Sequence, residues 1–237
     1  KLIRWSLNVA DVYLLQSPGL KKWIDQYSRK QTYGLWNSID LAIIPDRLFS
    51  PKKESGQIIT GITVGKLGKN KGTYDILDAI EYLQKKDDIK IEWIFAGTGN
   101  IEDFRDLANN KGIANNIVFT GPISDLEKWK FLYQADFFCL PSYAEGQPIS
   151  IIEAMSIGLP VISTTVGSIP EMITDSINGL LIPPGNVKML VEAIEKMKDH
   201  NLRDSIGKLA KENAKLRYDH SVLCRNLVDI YNNLILS

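Results

Sequence analysis

Cysteine and histidine are scarce in this sequence: two of each among 237 residues. Cys139 sits in the apolar run FFCL, Cys224 in a C-terminal helical pattern, and no CxxC spacing occurs. This scarcity argues against a disulfide scaffold and against a metal site, and a cytoplasmic setting fits best. Charge of one sign is lacking too, since lysine plus arginine and aspartate plus glutamate each number 28. Without a basic field, nucleic acid is not an expected partner. No apolar run approaches the roughly 18 residues that span a bilayer. The first fifteen residues are broken by Asp11 and offer no small-residue cleavage site, so they do not read as a signal peptide. An initial methionine is absent as well, and the chain reads as a fragment of a longer protein. Neither a P-loop nor a full G-x-G-x-x-G can be aligned, which weakens any case for a dinucleotide.

What is present is ordinary globular material, 44% hydrophobic and 24% charged. The length allows one large α/β domain, or one domain plus part of another. Residues 1–50 carry two strand-like runs, Asp11–Gln16 and Leu41–Ile44, and a helix from Ser17-Pro18-Gly19 through about Tyr27. These cannot enclose a core and read as the tail of a preceding domain, with a polar linker over Phe49–Gly56. From Gln57 the pattern becomes regular. Apolar runs at 58–64, 89–95, 117–119, 137–140, 161–163 and 179–182 alternate with helical stretches near 72–86, 101–110, 124–134, 148–157 and 169–174. Continuous apolar strands are expected where helices cover both faces, and the alternation implies a doubly wound parallel sheet. After Pro183-Pro184-Gly185 the chain reads as wholly helical, over about 186–199, 202–217 and 219–235.

Ligands of such sheets bind at the carboxyl ends of the strands. The first of those loops is Gly65-Lys66-Leu67-Gly68-Lys69-Asn70-Lys71-Gly72, whose glycines and lysines ahead of a helix suit phosphate. A solvated basic turn is the competing reading. The second, Ala96-Gly97-Thr98-Gly99-Asn100, holds a lone GxG; the third, Thr120-Gly121-Pro122-Ile123-Ser124, could face a planar ring or be a plain turn with Ser124 as N-cap. The fourth opens the stretch Ser142–Thr165, in which Glu145 and Glu153 are the only charged residues. Glu153 lies on a helix that is apolar all round, and a carboxylate there is costly unless hydrogen bonds reach it. A hydroxyl-rich ligand would supply them; so would a capping box formed by Ser150 and Glu153, or exposure to solvent. In the fifth loop, Glu171 reads as a favourable first-turn acid.

Taken in order, GKLGKNKG, AGTGN, FTGPIS, ADFFCLPSYAEGQPISIIEAMSIGLPVISTTVGSIPEMI and NGLLIPPGN resemble the C-terminal domain of GT-B-fold retaining glycosyltransferases of family 4. The resemblance covers about residues 57–235, and Glu145 with Glu153 matches the family's E-x7-E motif. It implies a Rossmann-like donor-binding domain at 51–237, preceded at 1–50 by the end of an acceptor-binding domain. In that end, ADVYLLQSPGLKKWI would be a last strand–helix unit and LAIIPDRLFSP the crossing, with Asp46-Arg47 where the family has Asn-Gly. The terminal helix would cross back toward the preceding domain.

The resemblance also implies roles. Glu153 would accept hydrogen bonds from the ribose of a nucleotide sugar, UDP- or GDP-linked, and Glu145 would contact the transferred sugar. The backbone around Gly146, Gln147, Pro148, Ile149, Ser150 and Ile151, with its amides at the helix start, would face the sugar and diphosphate. Lys71 would pair with the diphosphate, as would Lys66, which stands where the family has arginine and so loses the two-pronged donor. Gly65 and Gly97 would line the cleft, and Gly121, Pro122 and Ile123 would lie near the base. Tyr143 reads better as core than as a base contact. The implied reaction is transfer of a hexosyl group to an acceptor hydroxyl with retention and without a metal, in polysaccharide, lipopolysaccharide or glycolipid synthesis. This piece alone would bind but not transfer. The alternative is a nucleotide-sugar-binding module without turnover. Lys208, Lys211 and Lys215 could touch anionic lipid at the inner face of the cell membrane; a solvated helix face is the more ordinary reading.

Overall fold

A computed structural model describes residues 9–17, 19–45, 58–86 and 90–235. The linker at 49–56, the boundary between residues 50 and 51, Asp46-Arg47, Pro18 and Ile89 lie outside the described residues. The first strands and helix among the described residues are β1 (Tyr13–Leu15), α1 (Gly19–Ile24) and β2 (Thr32–Gly34), the two strands pairing in parallel. Tyr13, Leu15 and Ile24 form their small cluster. Two expectations are corrected here. β2 was not expected, and Leu41–Ile44 is not a strand: Leu41–Ile43 is a 3-10 turn, opened by the Asp40 carboxylate accepting from Ala42 N at 2.9 Å.

Six further strands form the main sheet: β3 (Ile58–Val64), β4 (Lys90–Ala96), β5 (Ile117–Gly121), β6 (Phe137–Leu140), β7 (Val161–Thr164) and β8 (Leu180–Ile182). All pair in parallel, in the order β5-β4-β3-β6-β7-β8. Between them run α2 (Thr73–Lys86), α3 (Ile101–Asn110), α4 (Asp125–Gln134), α5 (Ile149–Ser156) and the single turn α6 (Ile169–Met172). The tail is helical: α7 (Val187–Lys196), α8 (His200–Arg217) and α9 (His220–Ile235). Among the described residues no helix is long and apolar enough to cross a membrane.

Period-two alternation distributes side chains to two cores. Trp93 and Phe95 of β4 face one with α2, α3 and α7, while Ile94 and Ala96 face the other with α4, α5 and α8. β6 and β7 are buried at every position, as inner strands of a helix-covered sheet should be. At the edge, β5 leaves Val118 exposed.

The segment after β2 packs on the second core through Trp36, Ile39 and Ile44. Ile39 N donates to Tyr218 O at 2.9 Å and His220 N to Ile39 O at 3.0 Å, so the α8–α9 junction is stitched to it. The Arg217 guanidinium lies 4.8 Å above the Trp36 ring and donates to Glu171 O at 2.8 Å. Strand order reverses where β3 has β4 on one side and β6 on the other, and a crevice opens at the carboxyl ends of strands at such a point.

Candidate functional site at the switch point

The loops leaving β3, β4 and β5 are laid side by side by backbone bonds. Gly65 N donates to Ala96 O at 2.9 Å and Gly97 N to Gly121 O at 3.1 Å. Gly65, Gly97 and Gly121 all have positive φ, which only glycine adopts without cost. A Cβ on Gly97 would overlap the carbonyl of Gly65, so the second loop can lie this close to the first only as glycine. The first two loops therefore meet backbone to backbone.

Lys71 ends a short 3-10 turn (Lys69–Lys71) just ahead of α2. Thr73, fully buried, holds that turn by accepting from Gly68 N at 2.9 Å. The Lys71 ammonium then meets Glu145 Oε1 at 2.6 Å, and Ser142 Oγ donates to the same oxygen at 2.6 Å. The Glu145 side chain is 7% exposed, that of Lys71 32%. Lys71 and Glu145, 74 positions apart, are thus brought together. Lys66 is exposed and makes no hydrogen bond or ion pair among the described residues.

Glu145 lies in a loop that its neighbours clamp. Thr164 Oγ1 donates to Ser142 O at 2.6 Å, Ser168 N donates to Gly146 O at 3.0 Å, and a Cβ on Gly167 would overlap the Glu145 carbonyl. From the amino-terminal segment, Asn37 N donates to Gln147 Oε1 and Asn37 Nδ2 to Gln147 O at 3.0 Å. Gln147 is buried, and its Nε2 has no partner among the described residues.

α5 then starts with Pro148 as N-cap and no side chain capping it. Ile151 N turns back to Pro148 O at 3.2 Å, which leaves the amides of Ile149 and Ser150 without a capping side chain, at the end where the helix dipole favours negative charge. The Ser150–Glu153 capping box is corrected: Ser150 lies inside the helix, and Glu153 turns instead to Lys128 Nζ of α4 at 2.6 Å. Burial raises the Glu153 carboxyl above its ordinary value, against the lowering by Lys128.

Around the third loop, Ser124 is the N-cap of α4 in a full capping box with Glu127, as one of the two readings had it. Pro122 is exposed, and Gly121 and Ile123 are half-buried. Tyr143 is not core: it is 41% exposed and donates to Asp75 Oδ1 at 3.1 Å. Burial raises the Asp75 carboxyl, and the Tyr143 bond works against it. Asn37, Lys128, Ser142 and the Tyr143–Asp75 pair were not legible as site residues, because each acts through a partner distant in sequence. Glu171 does more than favour a helix start, accepting from Gly19 N of α1 at 2.9 Å. Among the described residues no group of His, Cys, Asp and Glu is arranged to hold a metal ion. Cys139 is buried, and burial pushes its thiol pKa up.

Known proteins share this fold. The chain is 28% identical over 198 residues to the phosphatidyl-myo-inositol mannosyltransferase of Mycobacterium leprae, a match over 81% of this chain and 52% of that one. It superposes on sucrose-phosphate synthase from Thermosynechococcus elongatus with a TM-score of 0.84 at 21% identity, covering 99% of this chain and 61% of the synthase. On the Anabaena protein HepE, crystallised in complex with UDP, the TM-score is 0.82 at 18% identity, covering 97% and 68%. The chain spans about half the length of the curated relatives it matches. The sequence profile of "Glycosyl transferases group 1" matches residues 46–213, most of the chain. This chain belongs to the group 1 glycosyl transferases, as a C-terminal domain of the GT-B architecture.

Proposed function

We propose that the crevice binds a nucleoside diphosphate sugar, UDP- or GDP-linked, for a hexosyl transfer with retention to an acceptor hydroxyl of a glycan or glycolipid. The enzyme would then be a family 4 glycosyltransferase of polysaccharide, lipopolysaccharide or glycolipid synthesis. The observation that carries this is the Lys71–Glu145 pair, 2.6 Å apart beside the uncapped start of α5, with Glu153 one helical turn further in. The names of the mannosyltransferase and of the UDP-bound structure supply further support.

In this reading Glu153 accepts the ribose hydroxyls and Glu145 a hydroxyl of the sugar. The bond from the anomeric carbon to the diphosphate oxygen breaks, and its electron pair leaves with the diphosphate. The acceptor oxygen bonds to the same face of that carbon, and its proton passes to the departing diphosphate. Lys71, Lys66 and the amides at the start of α5 stabilise the growing charge, with no step assigned to a metal. Gly65 and Gly97 admit the ligand close to the backbone, and Gly121, Pro122 and Ile123 border the base.

The acceptor side comes from the part of the protein beyond this chain, and the described piece by itself binds without turnover. A labelled-donor assay on the full-length protein is the test. Transfer with the anomeric configuration kept, and its loss in Glu145→Ala, is the expected result. Binding with no transfer to any acceptor would favour the second reading, a nucleotide-sugar-binding module.

A further inference from the structure

Glu153 is a buried acid whose neighbour across the helix interface is a lysine. Lys128 is placed one turn into α4 by the capping box: Ser124 N donates to Glu127 Oε2 at 2.8 Å, and Lys128 N donates to Ser124 O at 2.9 Å. Its ammonium then reaches Glu153 Oε1 of α5 at 2.6 Å and Asp125 Oδ1 at 2.9 Å. The Lys128 and Glu153 side chains are 18% and 12% exposed, whereas Asp125 is 91% exposed. Glu153 Oε2 is left outside the ion pair.

We propose that Lys128 is a positioning residue: it fixes Glu153 through one carboxylate oxygen and keeps it ionised, so that the carboxylate can accept from a nucleotide's ribose. The proposal rests on Glu153 being the ribose acceptor. A carboxylate accepts from both ribose hydroxyls, whereas the neutral acid carries a proton on one oxygen and is a poorer partner for a diol. Burial favours the neutral acid, and among the described residues Lys128 is the cation that acts against it. Burial works to lower Lys128 as well, yet its bonds to Glu153 and Asp125 leave its pKa raised, so it stays charged. Of the other elements packed on α5, β6 and β7 contain no charged residue, and α8 meets it through Ala210 and Ala214. Asp125, the remaining charge acting on Glu153, opposes its ionisation.

The test is calorimetric titration of the full-length protein and its Lys128→Met, Lys128→Gln and Lys128→Arg variants, from neutral to alkaline pH. The ligands are UDP and GDP, each paired with its 2′,3′-dideoxy counterpart. Lys128→Met should weaken ribonucleotide binding about tenfold at neutral pH, with part of the loss recovered as pH rises and Glu153 ionises. Lys128→Gln, which keeps a donor without the charge, should behave alike and stands in if the methionine variant does not fold. Lys128→Arg should retain most of the affinity, and the dideoxynucleotides should be indifferent to all three. A loss equal at every pH, or equal for the dideoxynucleotides, overturns the proposal. A wild type that fails to prefer ribonucleotides over dideoxynucleotides overturns the ribose role of Glu153, and the role of Lys128 with it.

Discussion

Lys71 and Glu145, 74 positions apart, form an ion pair of 2.6 Å in which Ser142 supplies a third group. Because the lysine is a third exposed, its pairing contributes little to folding, on the order of 1 kcal/mol. Its weight falls on the ligand. Lys71→Ala should leave the thermal midpoint within a few degrees of wild type, yet reduce nucleoside diphosphate affinity about tenfold or more. Nucleoside affinity, measured in the same calorimeter, should not move. Equal losses for nucleoside and diphosphate would remove Lys71 from the phosphate.

Gly167 and Gly146 make a matched pair of tests. At Gly167, with φ of 57°, an added methyl would overlap the Glu145 carbonyl and displace the loop. At Gly146 the methyl would meet nothing within 4 Å. Gly167→Ala should therefore cost stability, about 1–3 kcal/mol by denaturant melts. Gly146→Ala should leave stability alone while lowering donor-sugar affinity, if the open space it fills is where the proposed donor lies. A stable Gly167→Ala with full affinity would contradict this account of the loop.

Burial raises the Glu153 carboxyl above its ordinary 4.5, with opposite consequences for folding and for binding. Between 4.5 and the raised value the folded chain holds more protons than the unfolded one. The Glu153 contribution therefore makes stability fall as pH rises through that window and stay level above it. Nucleotide affinity runs the other way and drops on acidification, as the carboxylate becomes an acid. Titrations from neutral to mildly acidic pH should show that drop in wild type and lose most of it in Glu153→Gln. A pH-independent wild-type affinity would contradict it.

Asn37 ties the amino-terminal segment to the donor loop through Gln147. Asn37→Ala removes two side-chain bonds, the one to Gln147 O and the one accepted from Gln16 Nε2, and keeps the backbone one, so about 1–2 kcal/mol of stability should go, with a several-fold weaker donor affinity. Asn37→Asp should be worse, because a carboxylate oxygen would face the Gln147 carbonyl. The measurement is the thermal midpoint together with affinity in both variants. An aspartate as good as asparagine would show the contact to be idle.

The parallel sheet and its helices were legible because long buried strands announce themselves. Phe137–Leu140 is apolar throughout and buried throughout, and Ile101–Asn110 keeps helical spacing with Phe104 and Ala108 inside. Two short elements near the amino end were not. Thr32–Gly34 holds one large apolar side chain in three residues, and the apolar run Leu41–Ile44 turns because Asp40 caps it and Pro45 follows. In the candidate site, Glu145 and Glu153 stood out as the charged residues of an apolar stretch, and the roles given to them and to Lys71 came from the resemblance to the family. Lys128 could not be, since its partner is 25 positions away and nothing in the local pattern of α4 separates it from a surface lysine. Tyr143 misled for a related reason: an aromatic in an apolar neighbourhood reads as core, although its hydroxyl is held at the surface by Asp75.

The reading of the crevice as a nucleotide-sugar site turns on Glu153. The most direct measurement is calorimetric titration of the full-length protein and Glu153→Ala with UDP, GDP and ADP. A buried, charge-assisted hydrogen bond is worth roughly 1.5–3 kcal/mol, so one nucleotide should bind wild type and bind the variant one to two orders of magnitude more weakly. Unchanged affinity for every nucleoside diphosphate would contradict it.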